Sequence, residues 1–295
     1  MKSIILMMLI AASLMATGQP MTYTNQREEL HLAGSVVIAD LQAHGEKWFD
    51  ENYAEFEEGS PEASWISNLQ ETQVEIYLGT WCGDSREWVP QFVHLWDALG
   101  LDRDQLTFTC LYDGTEKYKQ GPNGEEQGKD IHRVPTFIFT ENGAEYARIV
   151  EYPASDLMTD VAQIALRYPS QPNYKAATYM QQLLSEMTTE EVYKNANDYL
   201  RKAYKLTGKS SELNTLGYVY LRSGRVSEAL IAFHFNTFMF RHEPNVYDSY
   251  AEALVIAGDT TNAITNYEKV LELDADNENA IAQLEKLKVR DMINE

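Results

Sequence analysis

The second half of the chain repeats itself every 34 residues, and that period limits its fold more than any other feature. Leu213 corresponds to Tyr247, Leu216 to Tyr250, Gly217 to Ala251 and Tyr220 to Leu254. Gly224 corresponds to Gly258, Ala229 to Ala263 and Phe233 to Tyr267. The large apolar residues recur at helical spacing, the small ones where two helices must approach closely, and the glycines where a tight turn joins them. Each unit is therefore expected to be a helix–turn–helix pair that buries its apolar face only by stacking on its neighbours.

Leu213-x-x-Leu216-Gly217-x-x-Tyr220, with Gly224 and then Ala229-x-x-x-Phe233, resembles the tetratricopeptide repeat. The second unit is similar, and its exit, Leu273-Asp274-Ala275-Asp276-Asn277, carries Ala where the family usually has Pro. The resemblance covers about the last 110 residues. In the first unit Pro244 comes three residues late, which is expected to lengthen the second helix by a turn. Residues 176–206 read as one degenerate unit and Asn277–Ile293 as a capping helix. The resemblance implies a concave surface for a peptide or protein partner; the alternative is that the helices only brace the first half.

The first half has a different rhythm. Short helices are expected around Gly45–Phe56 and Pro61–Gln70, a buried strand at Gln73–Leu78, and a helix over Arg86–Leu99 kinked at Pro90. Leu106–Tyr112 reads as a strand and Asp113–Asp130 as a long polar loop. Thr136–Thr140 and Tyr146–Val150 flank Asn142-Gly143, a strong hairpin signal. A helix follows from Ser155 to about Tyr168. This is an α/β pattern, and the two prolines of Pro169–Tyr174 mark its end. The organisation expected is a signal peptide over 1–18, an α/β domain over 19–168, a linker over 169–175 and an all-α repeat domain over 176–295.

Between the strand at Gln73–Leu78 and the next helix stands Trp81-Cys82-Gly83-Asp84-Ser85. A cysteine at a helix N-terminus meets unpaired N–H groups and the positive end of the helix dipole, which stabilise a thiolate and lower its pKa. Trp81 can shield the sulfur and Ser85 can donate a hydrogen bond to it. Together with Val134-Pro135-Thr136 before a strand, the block resembles the thioredoxin fold over roughly Glu71–Leu166. More narrowly, Thr80–Arg86 with Ile131–Phe139 looks like an exported bacterial subgroup of thioredoxin-like proteins. The resemblance implies a central mixed sheet flanked by helices, an extra strand and helix from the region before Glu71, and a cis Val134–Pro135 bond facing Cys82. It also implies Trp81, Cys82, Ser85 and Pro135 as the reactive site, with Val134 and Thr136 meeting substrate.

The departures matter as much. The family's second cysteine is Ser85, which cannot resolve a mixed disulfide, so the ordinary dithiol cycle is closed. The family's buried acid is Ile76, and its lysine partner is replaced by Cys110, which reads as a buried structural thiol. His132 reads as a surface residue or as part of the rim of the site. The histidines lack metal-ligand spacing, although a Cys82–His94 hydrolase pair stays conceivable if the side chains meet.

The 295 residues carry 45 acids against 24 lysines and arginines, a net charge of −21, which argues against nucleic acids and anionic membranes as partners. Lys2, the apolar run Ile4–Met15 and Ala16-Thr17-Gly18 form the pattern of a secretory signal, which implies export to a periplasm or beyond and no membrane attachment after cleavage. No cofactor or metal is expected. Two functions remain open: a monothiol reductase or isomerase that forms mixed disulfides with client proteins, and a redox-inactive adaptor or chaperone-like binding module.

Overall fold

The computed structural model describes residues 20–45, 47–56 and 64–294. The expected signal segment 1–18 lies outside them, as do residues 61–63 of the helix expected over Pro61–Gln70. The rest of that helix is a 3-10 turn, Ile66–Leu69, which buries Leu69.

The chain opens with β1 (Met21–Thr24) and β2 (Leu30–Val36), an antiparallel pair where the resemblance implied one extra strand. Next come α1 (Ile38–His44) and α2 (Trp48–Glu55). Then β3 (Gln73–Leu78), α3 (Gly83–Ala98) and β4 (Leu106–Cys110) form a parallel β-α-β crossover. A long loop leads to β5 (Thr136–Glu141), β6 (Ala144–Val150) and α4 (Leu157–Ala165). The six strands lie in the order β1-β2-β4-β3-β5-β6. Only β3 and β4 run parallel, so the sheet is mixed. The region before Glu71 thus supplies two strands and two helices, and β2 joins β4 antiparallel.

Register places Ile76 between Phe108 on β4 and Phe137 on β5, wholly inside the core. Phe92 of α3 packs its ring 4.6 Å from Phe137 and 5.5 Å from Trp96, with all three buried. Side chains of this size each contribute about 1.5–3 kcal/mol by burial. The α3 helix begins three residues earlier than expected and runs through Pro90. Asn142 (φ 52°) and Gly143 (φ 78°) supply the two left-handed residues of the β5–β6 turn.

The second half is all helix among the described residues: α5 (Lys175–Glu186), α6 (Thr189–Lys194), α7 (Ala196–Leu206), α8 (Ser211–Arg222), α9 (Val226–Met239), α10 (Pro244–Ala257), α11 (Thr260–Leu273) and α12 (Glu278–Asn294). The helix pairs of the 34-residue period are α8–α9 and α10–α11, turned by Gly224 and Gly258 at φ 78° and 83°. The expected extra turn is not there. The α9 and α11 helices are both 14 residues long, and Pro244 is the first residue of α10, where its missing N–H costs nothing. Residues 176–206 hold three helices rather than two, because the chain breaks at Asn195 between α6 and α7.

The two halves are not beads on a string. Gln181 on α5 donates to the carbonyl of Asp130 at 2.7 Å, Gln120 to that of Arg222 at 2.7 Å, and Arg133 to that of Ser211 at 2.9 Å. The side chain of Val150, at the end of β6, belongs to the core of the helical array. The segment around 169–175 carries Tyr174 into that contact, and the guanidinium of Arg133 lies 4.3 Å from its ring centre. No helix among the described residues is long and apolar enough to cross a membrane.

Candidate functional site

Cys82 is the N-cap of α3, with extended backbone (φ −93°, ψ 127°), and its thiol is only partly buried. The turn that puts it there is built from β3 outward. Gly79 must be glycine, because a Cβ would stand 2.4 Å from the Trp81 indole. Trp81 donates its Nε1–H to the carbonyl of Leu111 at 2.8 Å, which pins the indole over the loop that follows β4. Arg86 donates to the carbonyl of Thr80 at 2.7 Å, and the Thr80 hydroxyl accepts from the Leu32 N–H on β2.

The Val134–Pro135 peptide is cis, the isomer expected from the sequence. The carbonyl of Val134 lies 3.3 Å from Cys82 Sγ and accepts its S–H. The rest of the segment is occupied by structural bonds. The Pro135 carbonyl accepts from the Glu151 N–H at 2.7 Å, and the Thr136 hydroxyl donates to the Arg133 carbonyl at 2.8 Å. The side chains of Val134 and Thr136 are both buried, and the polar group that Cys82 meets in this segment is the Val134 carbonyl.

One expectation about the sulfur needs correction. Burial pushes the Cys82 thiol above its ordinary range, and the Asp84 carboxylate adds to the rise. The N–H groups of Ser85 and Asp84 and the Ser85 hydroxyl act in the opposite direction but do not win. At rest the site holds a thiol, not a thiolate. Ser85 is also more than a tuning group: it is fully buried, and its Oγ accepts the Gly79 N–H at 3.2 Å, closing the turn beneath Trp81.

Cys110 lies in the apolar core with Ile76 and Leu78, while Cys82 borders a separate cluster of Tyr77, Leu111, Ile131, Val134 and Ile138. Neither cysteine is in a disulfide, and burial raises the Cys110 thiol far above its usual range. His94 sits three turns along α3, about 18 Å from the N-cap along the axis. Its ring stacks 4.5 Å from Tyr53 of α2, so it does not meet Cys82.

Sequence reasoning missed the charged group behind the site. Lys119, in the long loop, is 4% exposed. Its ammonium contacts the Tyr118 hydroxyl and lies 5.7 Å from the Trp81 ring centre. Burial, with the charge of Arg133 beside it, brings its pKa down to about 7; a thiolate at Cys82 and the Glu151 carboxylate pull the other way. Arg133 and Glu151 pair at 3.4 Å on the flank of the cis peptide. A lysine in a polar loop gives no sequence signal of burial.

His132 is neither surface nor rim. It is 2% exposed, with its ring edge-on to Tyr174 at 5.8 Å and its Nε2 without a hydrogen-bond partner among the described residues. Burial first, then Arg133 and Lys119, drive its pKa down to about 3. The unfolded chain takes up this proton near pH 6.5 and the folded chain does not, so stability falls as pH drops from about 6.5 toward 3. His132→Phe is expected to remove that component. Urea unfolding at pH 5 against pH 7.5 should show the variant gaining about 2 kcal/mol on the wild type. Parallel pH curves for the two proteins would contradict this account of His132.

Among the described residues no group of three or more His, Cys, Asp or Glu side chains is arranged to hold a metal ion. No family model and no curated protein matches the chain. Among solved structures, the first TPR domain of Spaghetti (RPAP3) bound to the HSP90 peptide SRMEEVD aligns with 39% of this chain and 92% of its own length. The identity is 18% and the TM-score 0.28. The first TPR domain of human RPAP3, an NMR structure, aligns with 39% and 91%, at 17% identity and a TM-score of 0.28. Likeness at that TM-score is loose and carries no weight for function.

Proposed function

We propose that the sheet domain is a thioredoxin-like fold whose Cys82 forms mixed disulfides with exported client proteins, and that tetratricopeptide-type helix pairs hold those clients nearby. The single observation that carries this reading is the sulfur at a helix N-cap, 3.3 Å from the carbonyl that precedes a cis proline. The β-α-β crossover, the β5–β6 hairpin and α4 support it.

The chemistry is that of a monothiol. The Cys82 thiol loses its proton, and its sulfur attacks one sulfur of a client disulfide. The Cys82–client S–S bond forms as the client's own S–S bond breaks, and the departing client sulfur takes up a proton. A second thiol, from the client or from a small-molecule thiol, then attacks the client sulfur and releases Cys82. With a client thiol the cycle is an isomerisation without net electron transfer; with two external thiols it is a reduction. The Cys82 proton leaves its bond to the Val134 carbonyl and passes to solvent as the sulfur attacks.

The raised thiol pKa and the S–H bond to Val134 favour a second reading, a binding module that turns over nothing. Refolding of a scrambled disulfide protein in a glutathione buffer separates the two. The first reading predicts an acceleration that Cys82→Ser abolishes and Cys110→Ala preserves. Equal rates with and without the Cys82 sulfur would leave only the adaptor.

A further inference from the structure

We infer that the cavity between the long loop and the helical array binds a free α-amino acid, with its carboxylate inward at Lys119 and its ammonium outward at Asp130. This site is separate from the chemistry proposed for Cys82 and from any client surface on the repeats. The cavity measures about 400 Å³, within the range of small-ligand pockets. The loop forms one wall, with Lys119, Glu126 and Asp130. The array forms the other, with Gln181 on α5, Tyr220 on α8 and Arg225 at the start of α9. The walls are tied together by the bonds from Gln181 to the Asp130 carbonyl and from Gln120 to the Arg222 carbonyl.

Four charged side chains line the cavity, and two of them are already engaged. Arg225 pairs with Glu228 at 3.1 Å, and a carboxylate oxygen of Glu126 accepts the Gly121 N–H at 2.7 Å. Lys119 and Asp130 remain, and neither makes an ion pair among the described residues. Lys119 is 4% exposed, and its ammonium bonds the Tyr118 hydroxyl. The Glu151 carboxylate, whose field reaches it, is committed to Arg133 at 3.4 Å. An ammonium buried without its own anion is costly, and burial holds the Lys119 pKa down at about 7. Asp130 is exposed, so it stands at the mouth while Lys119 lies deep.

That order of charges selects the ligand. A plain carboxylate is repelled at the mouth by Asp130, and a plain amine is repelled within by Lys119. A small molecule carrying both charges is matched at both ends, and an α-amino acid is the simplest one. A further group is ready for its carboxylate. Tyr220 is 2% exposed, and its hydroxyl has no hydrogen-bond partner among the described residues. A phenol in that state has a proton to donate. The backbone is left-handed at both Lys119 (φ 55°) and Asp130 (φ 53°), a conformation that costs an L-residue and recurs where side chains serve a ligand.

The test is thermal denaturation of the full chain with each of the common L-amino acids at about 5 mM, followed by titration calorimetry of those that raise the melting temperature. At least one should bind with a dissociation constant below about 1 mM. Acetate and ethylamine, which each carry one of the two charges, should bind at least about tenfold more weakly. At pH 8 most of Lys119 has lost its proton, and a bound carboxylate restores it. Binding at that pH should therefore take up close to one proton, read from the heats in two buffers of different ionisation enthalpy. Lys119→Met should abolish the uptake and weaken binding at least about tenfold. Asp130→Asn should keep the uptake and weaken binding at least about threefold. Asparagine tolerates the left-handed backbone at this exposed position, which keeps the test open if Lys119→Met folds poorly. No binding of any amino acid, acetate or ethylamine binding as tightly as the best of them, binding without proton uptake, or indifference to Asp130→Asn would each overturn the inference.

Discussion

Gly217→Leu is expected to cost about 3 kcal/mol or more of unfolding free energy, read as a lower urea midpoint by far-UV circular dichroism. A Cβ at Gly217 would stand 2.5 Å from the Phe233 ring, in a contact where neither partner has room. Phe233 is fully buried, and Tyr218 meets its ring edge-on at 5.1 Å. The ring cannot swing aside without opening the α8–α9 pair. The equivalent position in the next unit is Ala251, also fully buried, opposite Tyr267. Gly217→Ala is therefore a graded control. Helix propensity returns about 1 kcal/mol, overpacking costs about 1–3 kcal/mol, and the net loss should be well below that of leucine. If leucine proved as mild as alanine, the close approach of α8 and α9 would be wrong.

Glu212→Ala is expected to cost about 2–4 kcal/mol, because it leaves two buried N–H groups without partners. Glu212 lies in the first turn of α8 and is 3% exposed. One carboxylate oxygen accepts the N–H groups of Ala176 and Ala177 at 2.6 and 3.1 Å, the other those of Gly208 and the Thr207 hydroxyl at 3.4 Å each. A side chain of α8 thus caps α5, three helices earlier, whose own N-cap residue, Tyr174, gives no side-chain bond. Glu212→Gln keeps an acceptor but loses the charge, and should cost about half as much. Hydrogen exchange at Ala176 and Ala177 should accelerate in both variants, more in alanine. Unchanged exchange there would show that the cap does not hold α5.

These two residues illustrate what the sequence disclosed and what it withheld. Gly217 stood out because the 34-residue period aligned it with Ala251, and small residues at matched positions imply helix contact. Glu212 gave no signal: an acid in the first turn of a helix looks solvent-exposed, and its partners lie 35 and 36 residues away in sequence. The same contrast holds in the first half. The β3 strand, α3 and the β5–β6 hairpin were legible because apolar runs ended at Gly79 and Asn142-Gly143. The β1–β2 pair was not, because Gly34 (φ 79°) interrupts β2 and four consecutive buried residues replace the alternation that marks a half-buried strand.

At the candidate site, Trp81, Cys82, Ser85 and Pro135 were readable from two short motifs, and so was the pairing of Cys82 with the segment before the proline. The sign of the thiol's shift was not. The helix N-terminus is a local feature, whereas burial depends on Val134 and the loop above it, and here burial is the larger effect. Lys119 and His132 share that limitation. Lys119 sits in the loop that reads as polar and His132 just beyond its end, and His132 is enclosed partly by Tyr174, which the helical array brings across.

The measurement that tests the account most directly is the reaction of the folded Cys110→Ala protein with glutathione disulfide, followed by mass spectrometry across pH 7 to 9.5. The account predicts one glutathionyl adduct, on Cys82, forming slowly near neutrality and faster as the pH rises, with the rate still climbing where an ordinary thiol has levelled off, because burial raises the thiol's pKa. A folded protein that forms no adduct at any of these pH values, while the urea-unfolded chain reacts at once, would contradict it and mark Cys82 as a sealed structural thiol.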